Sequence, residues 1–214
     1  MLVKRTMKVD VELFKVGDVI KFKLTDGEKV QAMAVKENAK GMLFVLLDCL
    51  AREYPMFNNI DGMDEDDILY DTSDLRKALN GEILKRFPEE IRKRMVAVNV
   101  EGDMLRIPTE CEIFGENGCG QEETEKVKRW KPMKKKRNRI AFHGKEGLWE
   151  WYWLMNRHKE CASRFAGVNL PGYADSRLAS DYSGVRPVFV LRSGVKTNLL
   201  PRDKVRGFFA TVLC

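Results

Sequence analysis

Gly147-Leu-Trp-Glu-Trp-Tyr-Trp-Leu154 carries three of the four tryptophans in the chain. Read as an extended strand, it sets Trp149, Trp151 and Trp153 on one face and Glu150 and Tyr152 on the other, because successive strand side chains alternate. A row of tryptophans at that spacing is either a stacking platform for a sugar or one layer of a hydrophobic core, and the core layer is the preferred reading. Upstream, from Ala97, the chain is loop-rich, with short apolar stretches at Met104-Leu-Arg-Ile107 and Ile140-Ala-Phe142. Downstream, Gly184-Val-Arg-Pro-Val-Phe-Val-Leu191 closes the region with another strand.

The first fifty residues have strand periodicity. Val19-Ile-Lys-Phe-Lys-Leu24 and Val30-Gln-Ala-Met-Ala-Val35 alternate apolar and polar residues, the pattern of a half-buried strand. Between them Asp26-Gly27 predicts a two-residue hairpin turn. Met42-Leu-Phe-Val-Leu-Leu47 is apolar throughout, which predicts a central strand buried on both faces. Asp71-Thr-Ser-Asp74 offers N-caps for a helix bearing Leu75, Leu79 and Ile83 on one side. Phe87-Pro88-Glu-Glu opens a second helix, since proline is tolerated in a first turn and glutamates suit the helix dipole there. No repeat or linker divides the chain, so one α+β domain is expected over 1–214: N-terminal strands in 1–50, two helices in 71–97, a loop-rich portion in 98–191 and an extension in 192–214.

Composition narrows the function classes. Hydrophobic residues make up 44% and charged residues 33% of 214, ordinary values for a globular chain. No apolar run is long enough to span a bilayer, and the N-terminus lacks the apolar stretch of a signal peptide. A cytoplasmic or phage-particle location is therefore expected. Five cysteines with no CxxC pair and two histidines argue against a disulfide framework or structural zinc. The acidic run Asp64-Glu-Asp-Asp67 does not have the ligand spacing of a calcium loop, so a solvated loop is the preferred reading. Of a net charge of +6, the densest source is the Lys- and Arg-rich run 126–139. That run could contact phosphates with Trp130 stacking on a base. No nucleic-acid-binding signature accompanies it, and Glu122, Glu123 and Glu125 precede it, so nucleic acid is the third-ranked partner.

Three segments, in order, resemble the formylglycine-generating-enzyme type of the C-type-lectin-like fold. Leu105-Arg-Ile-Pro-Thr-Glu-Cys-Glu112 is similar to the R-L-P-T-E-A-E-W segment of that family, Gly147-Leu-Trp-Glu-Trp151 to its G-N-V-W-E-W strand, and Gly184-Val-Arg-Pro-Val-Phe189 to its terminal G-F-R strand. The resemblance implies a C-type-lectin-like α+β fold with two helices, antiparallel strands and long irregular loops. The chain also resembles an uncharacterised bacterial and phage family with an S-x-L-R-x-x-L-N helix start, here Ser73 to Asn80, and a closing G-V-R-P-A-F, here Gly184 to Phe189.

Some proteins of this fold are the variable proteins of diversity-generating retroelements, in which a reverse transcriptase rewrites adenines in the codons ahead of the last strand. By that resemblance the displayed surface lies in 155–182, and its ligand-binding residues are Asn156, Arg157, His158, Ser163, Arg164, Asn169, Leu170, Pro171, Tyr173, Asp175, Arg177, Asp181 and Tyr182. All thirteen belong to the broad set that rewritten adenine codons encode; Lys159 and Glu160 do not. The expected function is recognition of a protein or glycan on a target surface. The alternatives are a phage structural or assembly protein without a variable site, possible as a homo-oligomer, and a nucleic-acid binder working through 126–139.

Catalysis is not expected. The aerobic members of the enzyme family bind copper through a close cysteine pair near the C-terminal end, whereas Cys161 and Cys214 are far apart here, and Cys111 and Cys119 sit in the wrong segment. A lone Cys161 needs a base, and His158 reaches it only on a helix. The Glu-Pro-Asn and Gln-Pro-Asp triplets of calcium-dependent lectins are absent. No catalytic residue, cofactor or metal is therefore expected.

Overall fold

A computed structural model describes residues 9–10, 14–123, 127–192 and 196–197. In chain order the strands are β1 Val9–Asp10, β2 Val19–Lys23, β3 Lys29–Asn38 and β4 Gly41–Leu46, then β5 Met95–Val96, β6 Ala141–Phe142 and β7 Trp149–Glu150. β8 Tyr152–Arg157, β9 Arg164–Val168, β10 Ala174–Leu178, β11 Val188–Arg192 and β12 Lys196–Thr197 follow. Helix α1 covers 74–86, α2 is Glu89–Arg92 and α3 is Glu110–Phe114. α1 and α2 are the two expected helices. α3 is a third, within the 98–191 portion expected to be loop-rich. The signal-peptide reading of the first residues, Cys214 and nearly all of the 192–214 extension fall outside the described residues.

Five antiparallel strands form the central sheet, in the order β2-β3-β4-β11-β5. β4 lies between β3 and β11 and is buried at every residue, as its unbroken apolar run predicts. Side chains leave it alternately to two cores. Met42, Phe44 and Leu46 join Phe189, Leu191 and the α1–α2 residues Leu75, Leu79, Ile83, Phe87 and Ile91. Leu43 and Val45 join Val188, Val190, Ile113, Met133, Tyr152 and Leu154 on the other face. Phe44 stacks on Phe189 at 5.6 Å in the first core.

The β2–β3 turn differs from the expected two-residue form. Gly27 donates its N–H to Leu24 O at 2.9 Å, and Leu24 donates to Glu28 O at 2.8 Å, giving a three-residue loop with Gly27 at φ 92°. Gly tolerates that conformation. Arg86, at the end of α1, grips this loop through Asp26 and Glu28.

α1 explains the Ser73-to-Asn80 pattern. The Ser73 hydroxyl caps the helix by accepting from Arg76 N–H at 3.1 Å, and Arg76 pairs with Asp103 at 2.6 Å. A π-turn, Leu79–Ile83, interrupts the helix. There the Asn80 carbonyl oxygen accepts from Met104 and Leu105 N–H at 2.8 and 3.0 Å, and its amide donates to Leu105 O at 2.9 Å. This sequence pattern caps a helix and clamps a strand-like segment to it.

The tryptophan stretch is not one strand. Trp149 belongs to the β6–β7 ribbon, opposite Phe142, and is 61% exposed. The ladder breaks at Trp151, where Gly184 donates to Trp151 O at 2.8 Å and accepts from Trp153 N–H at 3.2 Å. A Cβ at residue 184 would stand 2.5 Å from Cys49 Sγ and 2.6 Å from Trp151 O, so this crossing requires glycine. The break turns Trp153 into the first core, fully buried, with its indole N–H on Tyr54 O at 2.7 Å. Only one of the three tryptophans forms a core layer. Arg186, also fully buried, donates to Leu46 O at 2.9 Å and lies 4.7 Å over the Tyr152 ring.

Candidate functional site

β8, β9 and β10 form a second antiparallel sheet, with β10 at its edge. The thirteen residues singled out from the sequence lie on its strands and in the turns that join or follow them, in three groups with different contacts. The first group is tied into the frame. Asn156 accepts from Glu110 N–H at 2.7 Å and donates to Gln121 O at 3.1 Å. Arg157 donates to Glu65 O, and His158 Nδ1 accepts from Glu160 N–H at 3.2 Å. The Ser163 hydroxyl contacts Cys161 Sγ at 3.2 Å, and Arg164 reaches across to Ser176 Oγ and O at 3.0 and 2.5 Å.

The second group makes the β9–β10 hairpin tip. Asn169 accepts from Tyr173 N–H through its side chain at 2.9 Å and bonds Asp175 at 3.3 Å, while Gly172 turns at φ 81°. Leu170, Pro171 and Tyr173 occupy this tip, and Lys136 lies 3.7 Å over the exposed Tyr173 ring. Cross-strand bonds at Asn169–Tyr173 and Ser163–Ala179 fix the ladder phase, so Ser176 and Leu178 turn backbone groups toward the open edge. Asp175 accepts from Ser176 N–H at 2.8 Å and Asp181 N–H caps Leu178 O at 3.0 Å. That edge is thereby partly sealed against another strand.

The third group comes together at the far end of β10. The Arg177 guanidinium lies 5.1 Å over the Trp151 ring, stands 3.8 Å from Asp181 and donates to Tyr182 O at 3.4 Å. Tyr182 is 61% exposed. Next to this group the Glu150 carboxyl faces that of Glu53, a residue that sequence reasoning passed over. Burial, then the Glu53 carboxyl, push the Glu150 carboxyl from 4.5 up to about 7. The pairing had no sequence signal, since the two glutamates lie on distant segments.

Residues 105–121 brace this sheet. Arg106 forks onto Glu112 at 2.7 and 2.5 Å, and Thr109 and Glu112 form a reciprocal capping box at α3. Glu110 is fully buried and accepts three backbone N–H groups, from Gly118 at 3.1 Å, Cys119 at 2.9 Å and Gly120 at 2.7 Å. The loop it holds pairs with the end of β8, Gln121 N–H donating to Arg157 O at 2.7 Å and Lys159 N–H to Cys119 O at 3.0 Å. The Arg-Ile-Pro-Thr-Glu-Cys-Glu segment is thus a bracket for the sheet.

In the 126–139 run, Trp130 is buried in the second core and is not presented for base stacking, a correction to the sequence reading. Lys131 and Lys134 to Arg137 are exposed around two short turns. Burial pushes the Cys49 thiol well above 9.0, and burial with nearby glutamates raises Cys111 to about 12. Among the described residues no cluster of His, Cys, Asp and Glu is placed to hold a metal ion, and no helix is long and apolar enough to cross a membrane.

Residues 41–193 match the model of a family described as a domain of unknown function, DUF6273. The chain belongs to this family. The DUF6273 match begins at β4, so the β2–β3 hairpin extends the central sheet from outside the matched stretch. The bracket, the small sheet and the Arg177 group all lie within it. No curated protein and no solved structure matches the chain.

Proposed function

We propose that this DUF6273 protein binds a protein or glycan on a target surface through the Trp151, Arg177, Asp181 and Tyr182 end of β10, with the β9–β10 tip as a second contact. The observation that carries the reading is the Arg177 guanidinium stacked over Trp151 beside a largely exposed Tyr182. Aromatic rings and guanidinium groups supply much of the energy in protein recognition. Stacking also pre-orders the arginine, so less side-chain freedom is lost on binding. The frame beneath hydrogen-bonds through its backbone and through Asn156, Arg164 and Glu110, leaving the Tyr182, Pro171 and Tyr173 side-chain tips toward solvent.

The finer part of the proposal is that 155–182 is the variable segment of a diversity-generating retroelement in a phage or bacterium, with a C-type-lectin-like frame. It rests on the motif resemblance and on the codon-compatible residues. A surface that accepts many side chains should project them from a frame that does not use them. Leu170, Pro171, Tyr173, Arg177, Asp181 and Tyr182 meet that condition better than Asn156 and Arg164 do.

Two measurements test these levels separately. Glycan and cell-surface-protein arrays are probed with the wild type and with Arg177→Ala/Tyr182→Ala; binding that survives the double variant removes the proposed surface. Sequencing around the gene is expected to find a reverse transcriptase and a near-copy of codons 151–187 differing at adenines. Absence of both removes the retroelement origin and leaves the surface proposal standing.

A further inference from the structure

A cleft of about 370 Å³ lies between the start of β3 and the 142–147 loop. Lys29, Val30 and Gln31 form one wall, Asp48 and Cys49 the floor, and Phe142 to Gly147 the other wall. A second hollow of about 530 Å³ adjoins it and shares Lys29, Gly144 and Lys145. The first has the size of a small-molecule site. Its walls come from the hairpin that precedes the family-matched stretch and from loops inside that stretch.

The charges around the cleft are unevenly satisfied. Asp26 and Glu28 are held by Arg86, Glu28 also accepts from Ala51 N–H at 2.9 Å, and Asp48 accepts from Phe142 N–H at 3.3 Å. Arg52 is paired with Glu82. Lys29 and Lys145, which line both hollows, have no carboxylate in ion-pair reach among the described residues. His143 Nδ1 accepts from Lys145 and Glu146 N–H at 3.4 and 3.2 Å. With Nδ1 occupied as an acceptor, Nε2 is the donor position of the ring. The Gln31 amide adds further polar capacity, and the half-exposed Phe142 adds an apolar wall. Two carboxylates oppose the lysines: Asp48 on the floor and Glu146 at the rim, neither in an ion pair among the described residues.

The 142–147 loop is held tightly over this floor. A Cβ on Gly144 would stand 2.5 Å from Cys49 O, 2.8 Å from Glu28 Oε1 and 3.1 Å from Ala51 N. Cys49 donates its N–H to Phe142 O at 2.9 Å, and His143 donates to Leu148 O at 2.7 Å. The cleft is therefore a shaped feature, set by backbone contacts at its base.

We infer that this cleft binds a small phosphorylated metabolite, with its phosphate between Lys29 and Lys145 and its polar body against Gln31, His143 and Phe142. Ammonium groups and an imidazole N–H are the donors such a dianion needs, and charge-assisted bonds to the ammonium groups are the stronger ones. The site shares no residue with the surface at β10, so it stands whether or not that surface binds a target.

The test is titration of the full chain, followed by amide chemical shifts and calorimetry, with glucose 6-phosphate, inorganic phosphate, sulfate and glucose at about 0.15 M salt. Saturable binding of glucose 6-phosphate is expected, weaker binding of phosphate, and none of glucose, with shifts at Gln31, Cys49 and Gly144. Lys29→Ala/Lys145→Ala is expected to weaken binding by about tenfold or more, while Lys134→Ala/Lys135→Ala, in the basic run, leaves it within about twofold. Both lysine pairs are exposed, so wild-type melting of each variant is the control for folding. No saturation by about 10 mM, shifts confined to 127–139, equal binding of sulfate, or equal loss in the two variants would each overturn the inference.

Discussion

Replacing Glu150 by glutamine probes the charge arrangement beneath Arg177. In the folded protein burial and the Glu53 carboxyl hold the Glu150 carboxyl at about 7, against an ordinary 4.5, with the Trp151 backbone N–H and Arg177 pulling the other way. The folded state therefore keeps a proton that the unfolded chain releases. Its stabilising contribution is fully present below about 4.5 and is lost as pH rises through about 7, so stability should fall over that window. A difference of this size corresponds to about 3 kcal/mol in a dry site. Both glutamates are only half-buried, and solvent screening reduces the figure to about 1 kcal/mol. Urea unfolding followed by tryptophan fluorescence at pH 5, 6, 7 and 8 reads it directly. Relative to wild type, Glu150→Gln should gain about 1 kcal/mol between the lowest and highest pH, a melting shift of about 2–4 °C for a chain of this size. Glu53→Gln should show the same flattening, because it removes the carboxyl that raises Glu150. A wild-type and Glu150→Gln difference that stays flat across this range would refute the reasoning.

Three further outcomes follow from the packing. Glu110→Ala leaves three backbone N–H groups without their acceptor, one of them on the buried Gly120, and should cost about 2–4 kcal/mol with faster amide exchange over 118–121. Trp153→Phe removes the bond to Tyr54 O and should cost about 1–2 kcal/mol in chemical denaturation, while Trp153→Ala adds a cavity and should cost about 3–5 kcal/mol. In native protein a thiol reagent should modify the half-exposed Cys161 and leave Cys49, buried and raised well above 9.0, untouched until denaturant is added. Equal native rates at the two cysteines would count against the buried floor of the cleft.

The strands of the first fifty residues, the helix starting at Ser73 and the buried central strand were legible in the sequence. Their signals are local: alternation over five or six residues, a hydroxyl ahead of an apolar stripe, and an apolar run bounded by turns. The hairpin turn was legible only as a position, because Gly27 takes its conformation in a loop that Arg86 of α1 also grips. The tryptophan stretch misled for a physical reason. Its alternation assumes one continuous strand, whereas the close crossing of Gly184 ends the ladder at Trp151 and sends Trp149 and Trp153 to different environments. Trp130 likewise read as available among lysines, because nothing in its neighbours shows that Ile113 and Met133 close over it.

The candidate site divides along the same line. By itself the sequence determined that polar and aromatic residues crowd into 155–182, since composition is a property of the chain alone. Tertiary structure decided that Asn156 is consumed by a bond to Glu110, that Arg177 lies over Trp151, that Glu53 meets Glu150, and that Lys29 and Lys145 share a cleft. Each of those depends on contacts between segments far apart in the chain, and the packing of both cores against the central sheet, which no local pattern encodes, brings those segments within a few ångströms.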